Sequence, residues 1–170
     1  DMKGWTRCAI QGPGVCAGLA TANSMHCIAE ALGMALPKTT PVRAGSERLN
    51  DIIKAAGQQI LELVAKNIRP RDILTEAAFQ NAVRLAVSIG CSVNTVRHLA
   101  AISVEAGLDL DMVNMFETES DDFSLITQIR PNGPDRIEDL DRAGGTNAVL
   151  HRLKAQLNTG VQTVAGIALS

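Results

Sequence analysis

"TEAAFQNAVRLAVSIGCSVNTVRHLAA", residues 75 to 101, decides the fold class. In its first half Phe79, Ala82, Val83, Ala86 and Ile89 recur at helical spacing, so they share one face of a helix. Thr75 stands where a hydroxyl caps the open N–H groups of a first turn, and Gly90 stands where a left-handed residue closes the last. After "CSVN" a second helical pattern runs from about Thr95 to Ala106, and Gly107 ends it. Helix, broken at glycines, is the grammar of this chain.

The same grammar extends outward. Upstream, Leu49, Ile52, Ile53, Ala56, Ile60, Leu63 and Val64 define the inward face of a long amphipathic helix from about Ser46 to Ile68, closed by Pro70. A further helix is expected from Ala17 to Met34, stopped by Pro37, with "PKTTPV" as a connector. Residues 1–16 are expected to be an extended entry, with Gly12, Pro13 and Gly14 as a tight turn. Downstream, Asp109 is expected to cap a short helix near 110–118, and helices are expected near 136–142 and 146–157, separated by Gly144 and Gly145. "SLITQI" (124–129) alternates like a strand before the turn "PNGP". The terminal "VQTVAGIAL" also reads as a strand, one needing partners outside this chain. The expected fold class is α/β and helix-dominated, with two or three short strands. Residues 1–170 would form one partial domain.

The 170 residues are 46% hydrophobic and 20% charged, with a formal net charge of −2, which suits a globular core. No basic cluster invites nucleic acid or an anionic membrane surface. No run approaches about 18 apolar residues, the length that spans a bilayer. The start lacks the basic and apolar regions of a signal peptide, and the chain reads as a piece of something larger. Four cysteines, Cys8, Cys16, Cys27 and Cys91, are loosely spaced in an alanine-rich sequence. That is a poor disulfide scaffold, so reduced thiols in a cytosol-like compartment are expected.

Cys16 is the chemically interesting one. It follows Gly12-Pro13-Gly14 and precedes the expected helix, whose dipole and free N–H groups would favour a thiolate. Two readings stand at this point: a ligand or reactive thiol, or a packed structural cysteine. Cys27 and Cys91 lie on apolar stretches and read as small buried hydrophobes. No C-x-x-C occurs, and His26 and Cys27 are adjacent on a helix and point apart, so a self-contained metal site is not expected. Ser92 and Asn94 either line a site at a helix start or merely cap that helix. His98 reads as a structural histidine, while Glu138 and Asp139 with Arg142 read as local helix pairs.

"CAIQGPGVCAGLATANSMHCIAEALGMALP" (8–37) resembles the cluster-cysteine segment of the dihydroxy-acid and sugar-acid (phosphogluconate) dehydratase family. The family form is roughly G-x-C-x-G, an aromatic, T-A-N-S/T-M and E-A-L-G, matched by Gly14, Cys16, Gly18, residues 21–25 and residues 30–33. Residues 71–101 are similar to the segment ending in G-G-S-T-N-x-V-x-H-L, and "RIEDLDRAGGTNAVL" (136–150) to M-E-D-x-x-R-A-G-G. The order is kept over nearly the whole chain. "NSMHC" and "EALG" tilt the likeness to the branch that acts on dihydroxy acids in branched-chain amino-acid biosynthesis.

The resemblance implies removal of water from a 2,3-dihydroxy acid to give a 2-keto acid. It implies an iron–sulfur cluster, 2Fe-2S or 4Fe-4S, held by three cysteines, with an open iron acting on the C3 hydroxyl. It further implies Mg²⁺ on the carboxylate and C2 hydroxyl, and a base for the C2 proton. Cys16 carries over as the third cluster ligand, Ser92 and Asn94 as site-lining residues, and no catalytic residue falls in this segment. The family's C-D-K and serine-base segments are not in these residues, so Mg²⁺ would be held mainly elsewhere and the segment alone would be inactive. Expected partners are a dihydroxy or sugar acid, the rest of the same polypeptide and a second copy in a homodimer, in the cytoplasm or an organelle matrix. The family's N-terminal domain is a three-layer α/β/α arrangement, of which this segment would supply mostly helices. Ala20, Cys91, Val93 and Lys38 depart from the family pattern. They leave open a sugar-acid dehydratase and a non-catalytic helical scaffold. A thiol redox protein centred on Cys16 lacks a resolving cysteine.

Overall fold

The computed structural model describes residues 2–9 and 16–169, with side chains from 2–5 and 16–169. Helices run in the order α1 (Met2–Ala9), α2 (Thr21–Ala31), α3 (Glu47–Ala65), α4 (Pro70–Ile73), α5 (Glu76–Ile89), α6 (Asn94–Ala106), α7 (Met112–Asp122), α8 (Ile137–Arg142) and α9 (Gly145–Leu153). A 3₁₀ turn follows at Lys154–Gln156. The helix-dominated expectation holds. The expected turn at Gly12-Pro13-Gly14 lies outside the described residues.

The core is built on α5. Its inward residues Ala78, Phe79, Ala82, Val83, Leu85, Ala86 and Ile89 are almost entirely excluded from solvent. So are Asn81 and Ser88, because α2, α6, α7 and α9 surround this helix on nearly every side. Both caps form as the sequence requires. Thr75 Oγ1 accepts from the Ala78 N–H, and Gly90 takes the left-handed conformation at φ 71°. Asn81 adds a long-range tie, donating to the Asn158 carbonyl at 3.0 Å and accepting from the Asn158 N–H at 2.8 Å. Burying a residue such as Phe79 or Ile89 contributes about 1.5–3 kcal/mol.

Elsewhere the expectations need correction. Residues 2–9 are helical rather than extended; Met2 and Trp5 on this helix are exposed. The helix expected from Ala17 starts only at Thr21 and ends at Ala31, because Gly33 turns left-handed at φ 76° and lets the Met34 N–H close on the Ala29 carbonyl. α3 ends at Ala65, and Pro70 opens α4 rather than closing α3. Asp111, not Asp109, caps α7. Neither expected strand forms a sheet. Residue 129 makes one bridge to Asp135, and Gln162 makes one to Ala168, so the terminal segment folds back on itself. It also docks within the chain, the Val164 N–H donating to the Gly33 carbonyl at 2.7 Å.

The largest departure is α3. Of its expected inward face only Leu63 is buried, while Ile53, Ile60 and Val64 are each more than half exposed, as is Leu61. Leu49 and Ile52 line a groove of about 370 Å³ shared with Met34, Leu36, Val42 and Val164.

Candidate functional site

Cys16 is exposed and free. It does not sit at a helix start. Four residues separate it from Thr21, and Ala20 before that helix has an extended backbone. The helix is delayed because the carbonyls of this approach are engaged elsewhere. The Asn23 side-chain amide donates to the Cys16 carbonyl at 2.7 Å and to the Gly18 carbonyl at 2.6 Å. Such side-chain bonds offer the backbone an alternative to the helical ladder.

Two downstream strands of backbone complete the frame. The Leu19 N–H donates to the Arg130 carbonyl at 2.6 Å, and the Ile137 N–H donates to the Ala17 carbonyl at 2.9 Å. Gly18 is needed for this approach, since a Cβ there would stand 2.8 Å from the Arg130 oxygen. Asn23 itself is wholly buried, and among the described residues its Oδ1 has no hydrogen-bond partner. A buried acceptor left empty costs about 1–3 kcal/mol, which the two bonds donated to Cys16 and Gly18 offset.

The "GCSVN" corner meets the start of α2. The Ser92 N–H donates to Ser24 Oγ at 2.9 Å, Ser92 Oγ lies 3.2 Å from Thr21 Oγ1, and Asn94 Nδ2 donates to Thr21 Oγ1 at 2.8 Å. Ser92 and Asn94 therefore join the first turns of α2 and α6 rather than simply capping α6. Ser92 Oγ also accepts a longer bond from the Asn94 N–H at 3.3 Å. Val93, which precedes α6, is 80% exposed and caps nothing. The corner is backed by the 124–135 segment. Thr127 Oγ1 donates to the Ile89 carbonyl at 2.9 Å, and Asn132 Nδ2 to the Gly90 carbonyl at 2.8 Å. One loop, ending at the Arg130 and Asn132 turn, thus braces both the Cys16 approach and the Ser92 corner. Sequence reading missed Asn23, Arg130 and Asn132. Asn23 was visible in T-A-N-S-M, but its two carbonyl partners follow from no periodicity.

The other cysteines differ in kind. Burial pushes the Cys27 thiol up to about 11 and the Cys91 thiol up to about 12, so both stay protonated at neutral pH. His26 lines the α3 groove, and its pKa is lowered by burial; His98 is exposed. Arg142 pairs with Asp139 one turn earlier, and Gly145 lets the start of α9 approach the Thr40 carbonyl, where a Cβ would stand 2.5 Å away. Glu30 of the E-A-L-G motif is a buried carboxylate that accepts from the Lys38 N–H at 2.8 Å, the Thr40 N–H at 3.0 Å and the Thr40 hydroxyl at 2.6 Å. It holds the 38–40 connector against α2.

Among the described residues no group of three or more His, Cys, Asp or Glu side chains could hold a metal ion. The exposed thiol of Cys16 is a single donor, so the described residues offer no complete ligand set of their own. No described helix is long and apolar enough to cross a membrane.

A family model described as dihydroxy-acid/6-phosphogluconate dehydratase N-terminal matches residues 1–170. Among curated proteins, the chain is 44% identical over 161 residues to a dihydroxy-acid dehydratase of Syntrophobacter fumaroxidans, covering 94% of this chain and 29% of that protein. Proteins of the same name from Methanothrix thermoacetophila and Dehalococcoides mccartyi are each 44% identical, over 158 and 160 residues. Both alignments cover 93% of this chain, and 29% and 28% of those proteins. The chain thus spans less than a third of the length of these relatives. With the ordered motifs and the contacts of the 90–94 corner with the start of α2, the chain belongs to the dihydroxy-acid/6-phosphogluconate dehydratase family, in its N-terminal region.

Proposed function

We propose that this chain is part of an iron–sulfur-dependent hydro-lyase that converts a 2,3-dihydroxy acid to a 2-keto acid in branched-chain amino-acid biosynthesis. Cys16 is the one cluster thiolate it contributes. The observation that carries this reading is the contrast among the described cysteines: Cys16 is free and exposed on a clamped segment, while Cys27 and Cys91 are held as protonated thiols. Family membership and relatives named dihydroxy-acid dehydratase support the substrate class.

The cluster, when bound, supplies Lewis-acid activation of the departing hydroxyl. The chain's own residues do quieter work. Cys16 would hold the cluster through its exposed sulfur, from a backbone fixed on both sides. Ser92 and Asn94 hold the start of α6 against that of α2 and line the approach to the site. Mg²⁺ and the base that takes the C2 proton come from residues beyond this segment, and the working form is a cytoplasmic homodimer.

The test uses the full-length protein, purified without oxygen, with iron, sulfide and the visible spectrum recorded for wild type and Cys16→Ala. Iron and sulfide present in the first and lost in the second support the reading. Keto-acid release from 2,3-dihydroxy acids, compared with sugar acids, then fixes the branch. A wild type that takes up no iron on reconstitution overturns it and favours a non-catalytic helical scaffold.

A further inference from the structure

We infer that Asn23 is the positioning residue of Cys16. This rests on Cys16 being a cluster ligand. Both hydrogens of one amide are spent on the carbonyls of Cys16 and Gly18, at 2.7 and 2.6 Å, so the amide grips the backbone on either side of Ala17. The remaining freedom of the segment is removed by the Leu19–Arg130 and Ile137–Ala17 bonds. Asn23 is wholly buried, so packing holds its side chain in place. Its Oδ1 makes no hydrogen bond, so among the described residues the amide's only polar engagement is with this segment.

The chemistry selects asparagine. Aspartate at the same place would turn two acceptor oxygens toward two carbonyl oxygens and supply no hydrogen. Serine would supply one hydrogen and so hold one carbonyl. Glutamine, longer by a methylene, would carry its amide past the two carbonyls from a side chain shut off from solvent. Residues that orient a metal ligand from behind commonly matter 10–100-fold to metal affinity, roughly the size of effect expected here.

The experiment uses the full-length protein with Asn23→Asp, Asn23→Ser and a core control, Leu150→Ala, at a buried side chain that takes no part in the hydrogen bonds around Cys16. After anaerobic reconstitution, iron retention against a chelator and the paramagnetic spectrum of the reduced cluster are recorded beside the melting temperature. Asn23→Asp is expected to lose iron about 10–100-fold more readily than wild type. Asn23→Ser should be intermediate with a shifted spectrum, and Leu150→Ala should keep the wild-type spectrum. If Asn23→Asp does not fold, Asn23→Ser carries the test. Wild-type retention and spectrum in both Asn23 variants overturn the inference.

A second readout separates this failure from that of the cluster reading. In the apo full-length protein, with Cys8 and the cysteines outside this segment replaced, a nitroxide on the exposed Cys16 reports segment motion without any metal. A label equally ordered in wild type and Asn23→Ser overturns positioning by Asn23. A label loosened by Asn23→Ser in a protein that never binds iron sustains the positioning and sinks the cluster.

Discussion

α3 and α5 carry similar amphipathic patterns and meet opposite fates. α5 is enclosed by four other helices, so that even Asn81 and Ser88 on its polar side are buried. α3 has Ile53, Ile60, Leu61 and Val64 turned to solvent and only Leu63 buried. Periodicity reports which face of a helix is apolar. It is silent on whether anything lies against that face, because that depends on residues far away in the chain or outside it.

The comparison can be broken or sharpened by mutation. Phe79→Ala in α5 should cost about 3–5 kcal/mol, read as a lowered urea midpoint, since it leaves a cavity among fully buried neighbours. Next is Glu30→Gln, which turns an amide N–H₂ toward the Lys38 or Thr40 donors and should cost about 1–3 kcal/mol. Glu30 also gives a pH signature. Burial raises its carboxyl above the ordinary 4.5, although the Thr40 and Lys38 donors oppose this. The folded state then binds the proton more tightly than the unfolded one. Its contribution is therefore full below pH 4.5 and falls as pH rises through the raised folded value. Urea titrations across this range should show that slope in wild type and lose it in Glu30→Gln.

Smaller effects fall on α3. Gly57 sits mid-helix with open space where a Cβ would be, so Gly57→Ala should stabilise by about 0.5–1 kcal/mol. Ile53→Ala should change stability by less than about 0.5 kcal/mol while its face stays bare. A loss above about 2 kcal/mol in the full-length protein would show that another surface covers α3 there.

How much of this was legible in the sequence follows the same division. The capped helices α5 and α6 were readable to within a residue, because Thr75, Gly90 and Gly107 act through bonds to near neighbours. The start of α2 was misread by four residues, since Asn23 diverts the carbonyls that would have begun the helix earlier. The strands were misread for a different reason. "SLITQI" alternates as a strand does, yet its polar Thr127 is engaged by the Ile89 carbonyl and its backbone braces a glycine corner instead of a neighbouring strand. Cys16 was legible as a motif, while the frame around it was not, because the frame is made of backbone carbonyls that any residue carries.

That frame also imposes a schedule. Cys16 is made well before Arg130 and Ile137, yet the closing of its approach needs the carbonyl of the first and the N–H of the second. At roughly 5–20 residues per second, the chain therefore carries an unframed thiol for on the order of ten seconds before the closing bonds exist. During that interval Cys16 is an ordinary accessible sulfur on an unfinished chain. Any chemistry that depends on its final geometry belongs after Ile137 is made, and oxidant present during synthesis meets this cysteine before its partners do.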